Sequence, residues 1–293
     1  MRVAVTGAAG QLGRALVSHL GPRAAWAGGR DELDVRDPAA VARVLDQVRP
    51  DVVVNAAAFN DVDGAEADPA PAMAVNAVGA GHLARACRER GALLVHVSSD
   101  YVFDGTKREP YREDDSPRPL NAYGVSKLAG CLLVADAGGP HLIVRTSALF
   151  GAGGNRVKGG SFVERIVARA RRGEPLRVVS DQVFSPTYAP DLGVALVALV
   201  DRGARGLFHV TNSGSCSWHE LAVAALEIAG IRAPVAAILS RDLAAPARRP
   251  SYSVLANDKA RAAGLAPLRP WRDALSEFLG PAARGAVRAF PED

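Results

Sequence analysis

A chain of 293 residues, 48% hydrophobic and 23% charged, can bury a sizeable core in one large α/β unit or in one domain with a smaller lobe, and is too apolar for a disordered chain. Its formal net charge of +4 is spread thinly. The densest basic clusters, Arg169, Arg171 and Arg172 and the pair Arg248 and Arg249, read as solvated faces or as a mildly basic cleft for an anionic ligand, so no nucleic-acid partner is expected. Cys87, Cys131 and Cys216 lie far apart without a Cys-x-x-Cys pair, and the six histidines form no His-Glu-x-x-His pattern, which argues against disulfides and zinc. No charged leader precedes a long apolar run, and no apolar stretch is long enough for a bilayer, so the expectation is a cytoplasmic protein with no membrane partner.

The pattern predicts a strand over 2–6, then a helix over 11–20, a short strand over 24–27 and a glycine turn at 28–30. A helix over 38–48 follows, with Pro38 suited to a first helical position. Continuous apolar runs predict buried strands over 51–55 and 93–97, with one long helix over 70–90 between them. A helix over 121–134 and a strand over 142–145 come next. After Phe150 the pattern changes. A glycine-rich loop spans 151–160, and the elements beyond it are a helix over 162–172, a strand over 176–180, a helix over 191–201, a strand over 206–211 and a helix over 217–229. The stretch 233–250, rich in Ala, Pro and Arg, reads as irregular. Alternating strands and helices predict an α/β fold, a Rossmann-type doubly wound parallel sheet with a smaller C-terminal substrate-binding lobe over the carboxyl ends of its strands. The expected division is 1–150 as the dinucleotide-binding domain, with 176–205 returning to it, and 151–175 with 206–293 as the lobe.

The string TGAAGQLG places Gly7, Gly10 and Gly13, with Gln11 and Leu12 between the last two, where the first strand becomes the first helix. Such a loop lets the backbone approach a pyrophosphate, and the helix N-terminus favours its charge. Arg30, just past the second strand, stands where a nucleotide fold reads the adenosine ribose; an arginine there favours a 2′-phosphate, although Asp31 and Glu32 adjoin it. Asp34 and Val35 are candidates to hold the adenine. Ala56, Ala57 and Ala58 end the third strand in small side chains that leave room for a cofactor. NADPH is the expected cofactor, with NADH as the alternative.

Tyr123 and Lys127, in YGVSK, share one face of a helix. Reduction of a ketone needs a proton donor as hydride arrives, and a tyrosine with an ammonium nearby serves, because the cation draws the phenol down from its ordinary value near ~10. Ser99, at the end of the preceding strand, can hydrogen-bond the carbonyl. Asn76 reads either as a helix-surface amide or as the holder of a water that passes protons to Lys127. Arg249, in ARRP beside Arg248, is the candidate for a diphosphate, since arginine forks suit phosphate oxygens.

These motifs, together with LDVRD at 33–37, NAAAFNDVDGAE at 55–66, VSSDYVFDG at 97–105, PYREDDSPRPLNAYGVSKLAG at 110–130, VRTSALFG at 144–151, DQVFSPTYAPDL at 181–192, SWHELA at 217–222 and ARRPSYSVL at 247–255, resemble the dTDP-4-dehydrorhamnose reductase family of the extended short-chain dehydrogenase/reductase superfamily over nearly the whole chain. The resemblance implies NAD(P)H-dependent reduction of a nucleotide-linked 4-keto-6-deoxysugar, with Ser99, Tyr123 and Lys127 as the catalytic set. Tyr101, Ala148, Phe162 and Arg249 then fall on the substrate side, with a dTDP-sugar as the binding partner and a monomer or homodimer as the assembly. Three positions depart from the family: Ala148 where Trp is common, Cys131 where Glu is common, and Ser161 where Asn is common. The family's magnesium-linked dimer uses glutamates, and with Ala15 following the glycine loop no metal is expected. Two alternatives stand beside the reductase. One is an epimerase or dehydratase on the same scaffold, although Ser99 is followed by Asp100 and Tyr101 instead of an Asp-Glu pair. The other is a non-catalytic NADP-binding regulatory subunit resembling the methionine adenosyltransferase beta subunit.

Overall fold

The computed structural model describes residues 1–153 and 160–280. Positions 154–159 of the expected glycine-rich loop and 281–293 of the expected lobe lie outside the described residues. In chain order the elements are β1 (Val3–Thr6), α1 (Gln11–Leu20), β2 (Ala24–Gly28), α2 (Pro38–Val48), β3 (Val52–Asn55), α3 (Val62–Ala67), α4 (Pro69–Met73), α5 (Ala80–Glu89), β4 (Leu93–Ser99), α6 (Ala122–Asp136), β5 (His141–Thr146), β6 (Leu149–Phe150) and α7 (Phe162–Arg171). They continue with β7 (Leu176–Val179), β8 (Val183–Phe184), β9 (Thr187–Tyr188), α8 (Ala189–Asp201), β10 (Gly206–His209), β11 (Cys216–Ser217), α9 (Trp218–Ala229), β12 (Val235–Ile238), α10 (Asp258–Ala262) and α11 (Trp271–Leu279).

The central sheet is wholly parallel, in the order β2-β1-β3-β4-β5-β10. Its strands send alternate side chains to opposite faces. Val3, Val5, Val52, Val54, Leu93, Val95, Leu142 and Val144 meet α1 and α8 on one face. Ala4, Val53, Leu94 and Ile143 meet α2, α5 and α6 on the other. Several of these, including Val5, Leu16, Leu142, Leu192 and Leu199, are completely buried, each burial worth about 1.5–3 kcal/mol. Because both faces are covered, the strands read as continuous apolar runs. The chain reverses direction across the sheet between β1 and β3, which opens a crevice at their carboxyl ends.

A second core joins Val163, Ile166 and Val167 of α7, Leu221 and Ala225 of α9 and Leu275 and Phe278 of α11. The parallel pair β7–β12 lies beside it. Three expectations are corrected here. Gly206–His209 is not part of the lobe but the edge strand of the central sheet, paired with β5. Leu176–Val179 does not return to the sheet but pairs with β12, and of the 176–205 stretch it is α8 that packs on α1. The stretch 233–250 is not wholly irregular, since Val235–Ile238 is a strand; its alanines carry little strand propensity, and the free edge of β7 supplies the pairing.

The long helix expected over 70–90 is interrupted by a π-helical turn, Ala74–Gly79. Such turns are rare and often found at functional sites. Within this turn the Asn76 amide donates to Phe59 O and to Ser126 Oγ and accepts from Phe59 N, each at 2.9 Å. Gly130 of α6 rides over this turn, where a Cβ would stand 2.1 Å from Asn76 O. Among the described residues no helix is long and apolar enough to cross a membrane.

Candidate active site

The glycine loop is built by backbone contact. Gly7 has φ +67, and a Cβ on it would lie 2.6 Å from the carbonyl carbon of Ala56, so the turn after β1 touches the end of β3. A Cβ on Gly13 would lie 2.2 Å from Gly7 O, so α1 begins directly on the loop. The start of α1 has no side-chain cap and no acidic residue in its first turn. Its unsatisfied N–H groups and dipole therefore remain for an anion. Gln11 Oε1 is buried at the same place with no hydrogen-bond partner. A bare helix N-terminus and the small side chains of Ala56, Ala57 and Ala58 fit the pyrophosphate half of a dinucleotide.

Past β2, Glu32 accepts from Gly29 N at 2.7 Å. Arg36 Nε donates to both oxygens of Asp34 at 2.9 Å, and this guanidinium holds the Asp34 carboxyl down at about 2. Arg30, Asp34, Val35 and Arg36 line the cleft, whereas Asp31 and Glu32 do not. Asp34 is thus paired with Arg36, and Arg30 lines the same end of the cleft. The same pairing means that Asp34 must share its oxygens with Arg36 in any contact to adenine.

Ser99 ends β4, and α6 carries Tyr123 and Lys127 to the same wall. Two features set that helix. Asn121 Oδ1 accepts from Gly124 N at 2.8 Å as its N-cap, while its Nδ2 donates to Arg248 O at 2.7 Å. Gly124 allows the helix to lie on Tyr101, where a Cβ would stand 2.2 Å from the carbonyl oxygen. Lys127 is buried, its Nζ donating to Val97 O at 2.7 Å, and burial pushes it down to about 8. Burial pushes the Tyr123 phenol up to about 12, with the Ser99 hydroxyl opposing and the Asp100 charge adding to the rise. This differs from the expectation drawn from the sequence. The ammonium is engaged by a strand carbonyl, so burial and not the cation dominates the phenol. Tyr123 therefore stands as a neutral phenol, the form a proton donor needs.

The remaining wall comes from the lobe. Ala148 takes the left-handed φ of +40 and packs against the lobe core. Phe162, Phe184 and Trp218 form an aromatic wall, with Trp218 at 4.7 Å from Phe162 and 4.1 Å from Phe184 between ring centroids. Phe150 is buried instead in the lobe core against Tyr188. Arg249 is half-committed: Nη2 bonds Asp63 at 2.7 Å and Nη1 donates to Ala247 O at 3.0 Å. Arg165, at the same wall, has its Nη1 on Gly160 O at 2.9 Å. Ser161 is taken up by a capping box with Glu164, and Cys131 is buried with its Sγ 3.1 Å from Ser98 Oγ.

One cleft of about 1050 Å3 gathers Gly7, Gly10, Gln11, Leu12, Gly13, Arg30, Asp34, Val35, Ala56, Ala57, Ala58, Ser99, Tyr101, Tyr123, Lys127, Ala148, Phe162 and Arg249. Asn76 is the exception. It does not line the cleft, and its amide braces the 59 loop to α6, so it has no N–H left to hold a water. Sequence reasoning missed Arg36, Asp100, Ser147, Arg165, Trp218 and Ser253, all of which line the cleft. Only Asp100 carried a signal, as an acid beside the candidate serine.

A parallel sheet with a glycine loop at its reversal point, and a Tyr-x-x-x-Lys helix opening on the same cleft, place the chain in the extended short-chain dehydrogenase/reductase superfamily. Comparison with known proteins narrows this. The family model described as the RmlD substrate binding domain matches residues 1–283, and the chain belongs to that family. It is 43% identical to a dTDP-4-dehydrorhamnose reductase of Streptomyces griseus, covering 98% of this chain and 96% of the relative. It is 42% identical to a dTDP-4-keto-6-deoxy-D-glucose reductase of Streptomyces niveus, covering 93% and 94%. Among solved structures, a dTDP-4-dehydrorhamnose reductase of Bacillus anthracis in complex with NADP superposes with a TM-score of 0.90 at 36% identity, covering 94% of this chain and 98% of that one.

Proposed function

We propose that this protein is an NADPH-dependent reductase of a dTDP-linked 4-keto-6-deoxysugar, with dTDP-4-dehydro-L-rhamnose as the first substrate to test. The observation that carries the reading is the convergence of Ser99, Tyr123 and Lys127 on one wall of a cleft whose far end is the glycine loop. Relatives named as reductases of such sugars, similar over nearly their full length, support it. The central sheet with α1 and α8 serves as the dinucleotide-binding body, and the α7, α9 and α11 body as the substrate lobe. When bound, the reduced nicotinamide supplies the hydride that C4 of the sugar accepts. Tyr123 gives its phenolic proton to the C4 oxygen, leaving an alcohol. Lys127, one helical turn away on the same face, keeps positive charge at the wall where the phenolate forms. The aromatic wall of Phe162, Phe184 and Trp218 supplies flat apolar surface that Ala148 does not, and Arg249 and Arg165 offer charge to the diphosphate. The test is turnover of dTDP-4-dehydro-L-rhamnose with NADPH, the product identified by NMR. NADPH consumption without a reduced sugar, or no consumption with any 4-keto-6-deoxysugar nucleotide, would refute the reading.

Two further results are expected. Arg30→Ala lowers kcat/KM for NADPH about 10- to 100-fold and barely alters that for NADH, because only the former carries a 2′-phosphate for the guanidinium. A wild-type enzyme that prefers NADH would contradict the role of Arg30. The second concerns pH. With Lys127 titrating at about 8, kcat/KM for reduction stays level below that pH and falls above it as the ammonium is lost. A descending limb displaced to pH 10 would remove the Lys127 charge from the mechanism. The shift acts on stability with the opposite sign. Between about 8 and the ordinary lysine value of 10.5 the unfolded chain holds a proton that the folded one has released, so raising the pH across that window stabilises the fold.

A further inference from the structure

Asp100 is the buried acid that the mechanism above leaves unused. It follows Ser99 where β4 runs into a single 3-10 turn, and it is 3% exposed. No ion pair to it is found among the described residues; burial raises its carboxyl above the ordinary value, against the pull of three serine hydroxyls. Ser99 Oγ donates to Oδ1 at 3.0 Å, and Ser147 Oγ and Ser253 Oγ donate to Oδ2 at 2.7 and 2.6 Å. The three hydroxyls come from three places: the end of β4, the turn after β5, and the segment that pairs with the lobe through Ser253 N on Val183 O at 2.8 Å. All four residues face the cleft.

A serine hydroxyl has one proton to give and two lone pairs. The Ser99 hydroxyl donates to Asp100 and accepts from Tyr101 N–H at 3.2 Å, which fixes its orientation on the wall it shares with Tyr123. We propose that Asp100 is a positioning residue of the reaction: by accepting the Ser99 hydrogen bond it holds that hydroxyl in one orientation at the wall it shares with Tyr123. Ser147 and Ser253 satisfy the rest of the carboxylate and tie the lobe segment to the catalytic strand. The carboxylate also favours the neutral phenol, since a second negative charge next to it is unfavourable. This proposal rests on the reductase reading.

The test is a double-mutant cycle of Ser99→Ala and Asp100→Asn, with NADP+ affinity measured alongside kcat. If Asp100 acts through Ser99, Asp100→Asn lowers kcat about 10- to 100-fold with NADP+ binding preserved, and the double variant is no slower than Ser99→Ala alone. Multiplicative losses, or wild-type kcat in Asp100→Asn, overturn it. Should Asp100→Asn not fold, Ser253→Ala decides, because it leaves the Ser99–Asp100 bond in place. It then raises KM for the sugar nucleotide more than it lowers kcat, and a kcat loss as deep as that of Ser99→Ala, with the Ser99–Asp100 bond in place, would show that the effect of the cluster does not run through Ser99 and would overturn the role. A wild-type protein that binds NADP+ yet reduces no 4-keto sugar takes down the reductase reading and this role together. Turnover with multiplicative variants takes down the Asp100 role alone.

Discussion

Tyr123→Phe is expected to lower keto-sugar reduction by about two to four orders of magnitude while the affinity for NADP+ stays close to wild type. The change deletes one oxygen from a half-buried ring. The ring keeps its edge-on contact with Tyr101, 5.8 Å between centroids, so α6 and the wall of the cleft stay where they are. The loss is the proton donor, and a neutral phenol held up at about 12 has no ionised competitor at neutral pH. Ser99 does not substitute, since its hydroxyl is already engaged as a donor to Asp100. The measurement is kcat with NADPH beside an NADP+ binding isotherm. Turnover within tenfold of wild type would sink Tyr123 as the donor, and a lost isotherm would show that the phenol supports the cofactor site instead.

Gly13→Ala is expected to weaken dinucleotide binding about 100-fold, a cost near the upper end of the ~1–3 kcal/mol that overpacking brings. The added methyl would stand 2.2 Å from Gly7 O and 2.6 Å from Ala8 Cα. Both are backbone atoms, so no side-chain rotation relieves the contact, and α1 and the loop must part. That separation moves the helix N–H groups away from the pyrophosphate. Gly10 differs, because a Cβ there would meet only Gly7 O, at 3.3 Å. Titration of NADP+ calorimetrically, with the melting temperature recorded alongside, decides it. Wild-type affinity in Gly13→Ala would mean that the loop yields without disturbing its anion site.

Much of this was legible in the chain because it is local. The runs at 2–6 and 51–55 can only be strands covered on both faces, and a glycine loop between such a strand and an uncapped helix has one ready use. Tyr123 and Lys127 lie one helical turn apart, so helix geometry alone put them on one face. The Asn76 reading failed for a reason that local pattern cannot carry. The backbone of Phe59 and the hydroxyl of Ser126 occupy its amide, and those partners are 17 and 50 positions away. Arg249 met the same limit, since its partner Asp63 is 186 residues distant. Strand β12 was hidden because Val-Ala-Ala-Ile is a weak strand former until β7 offers an edge.

Periodicity and short spacing carried the alternation of strands and helices around the sheet, the glycine loop between β1 and α1, and the shared helix face of Tyr123 and Lys127. Only the tertiary contacts settle which strand closes the central sheet, that Asp34 is paired with Arg36, and that the Ser99 hydroxyl donates to Asp100. Those outcomes depend on which groups, distant along the chain, come within hydrogen-bond reach. A buried carboxylate or amide takes whatever partners packing brings to it, because leaving it unpaired costs more than any local preference can return.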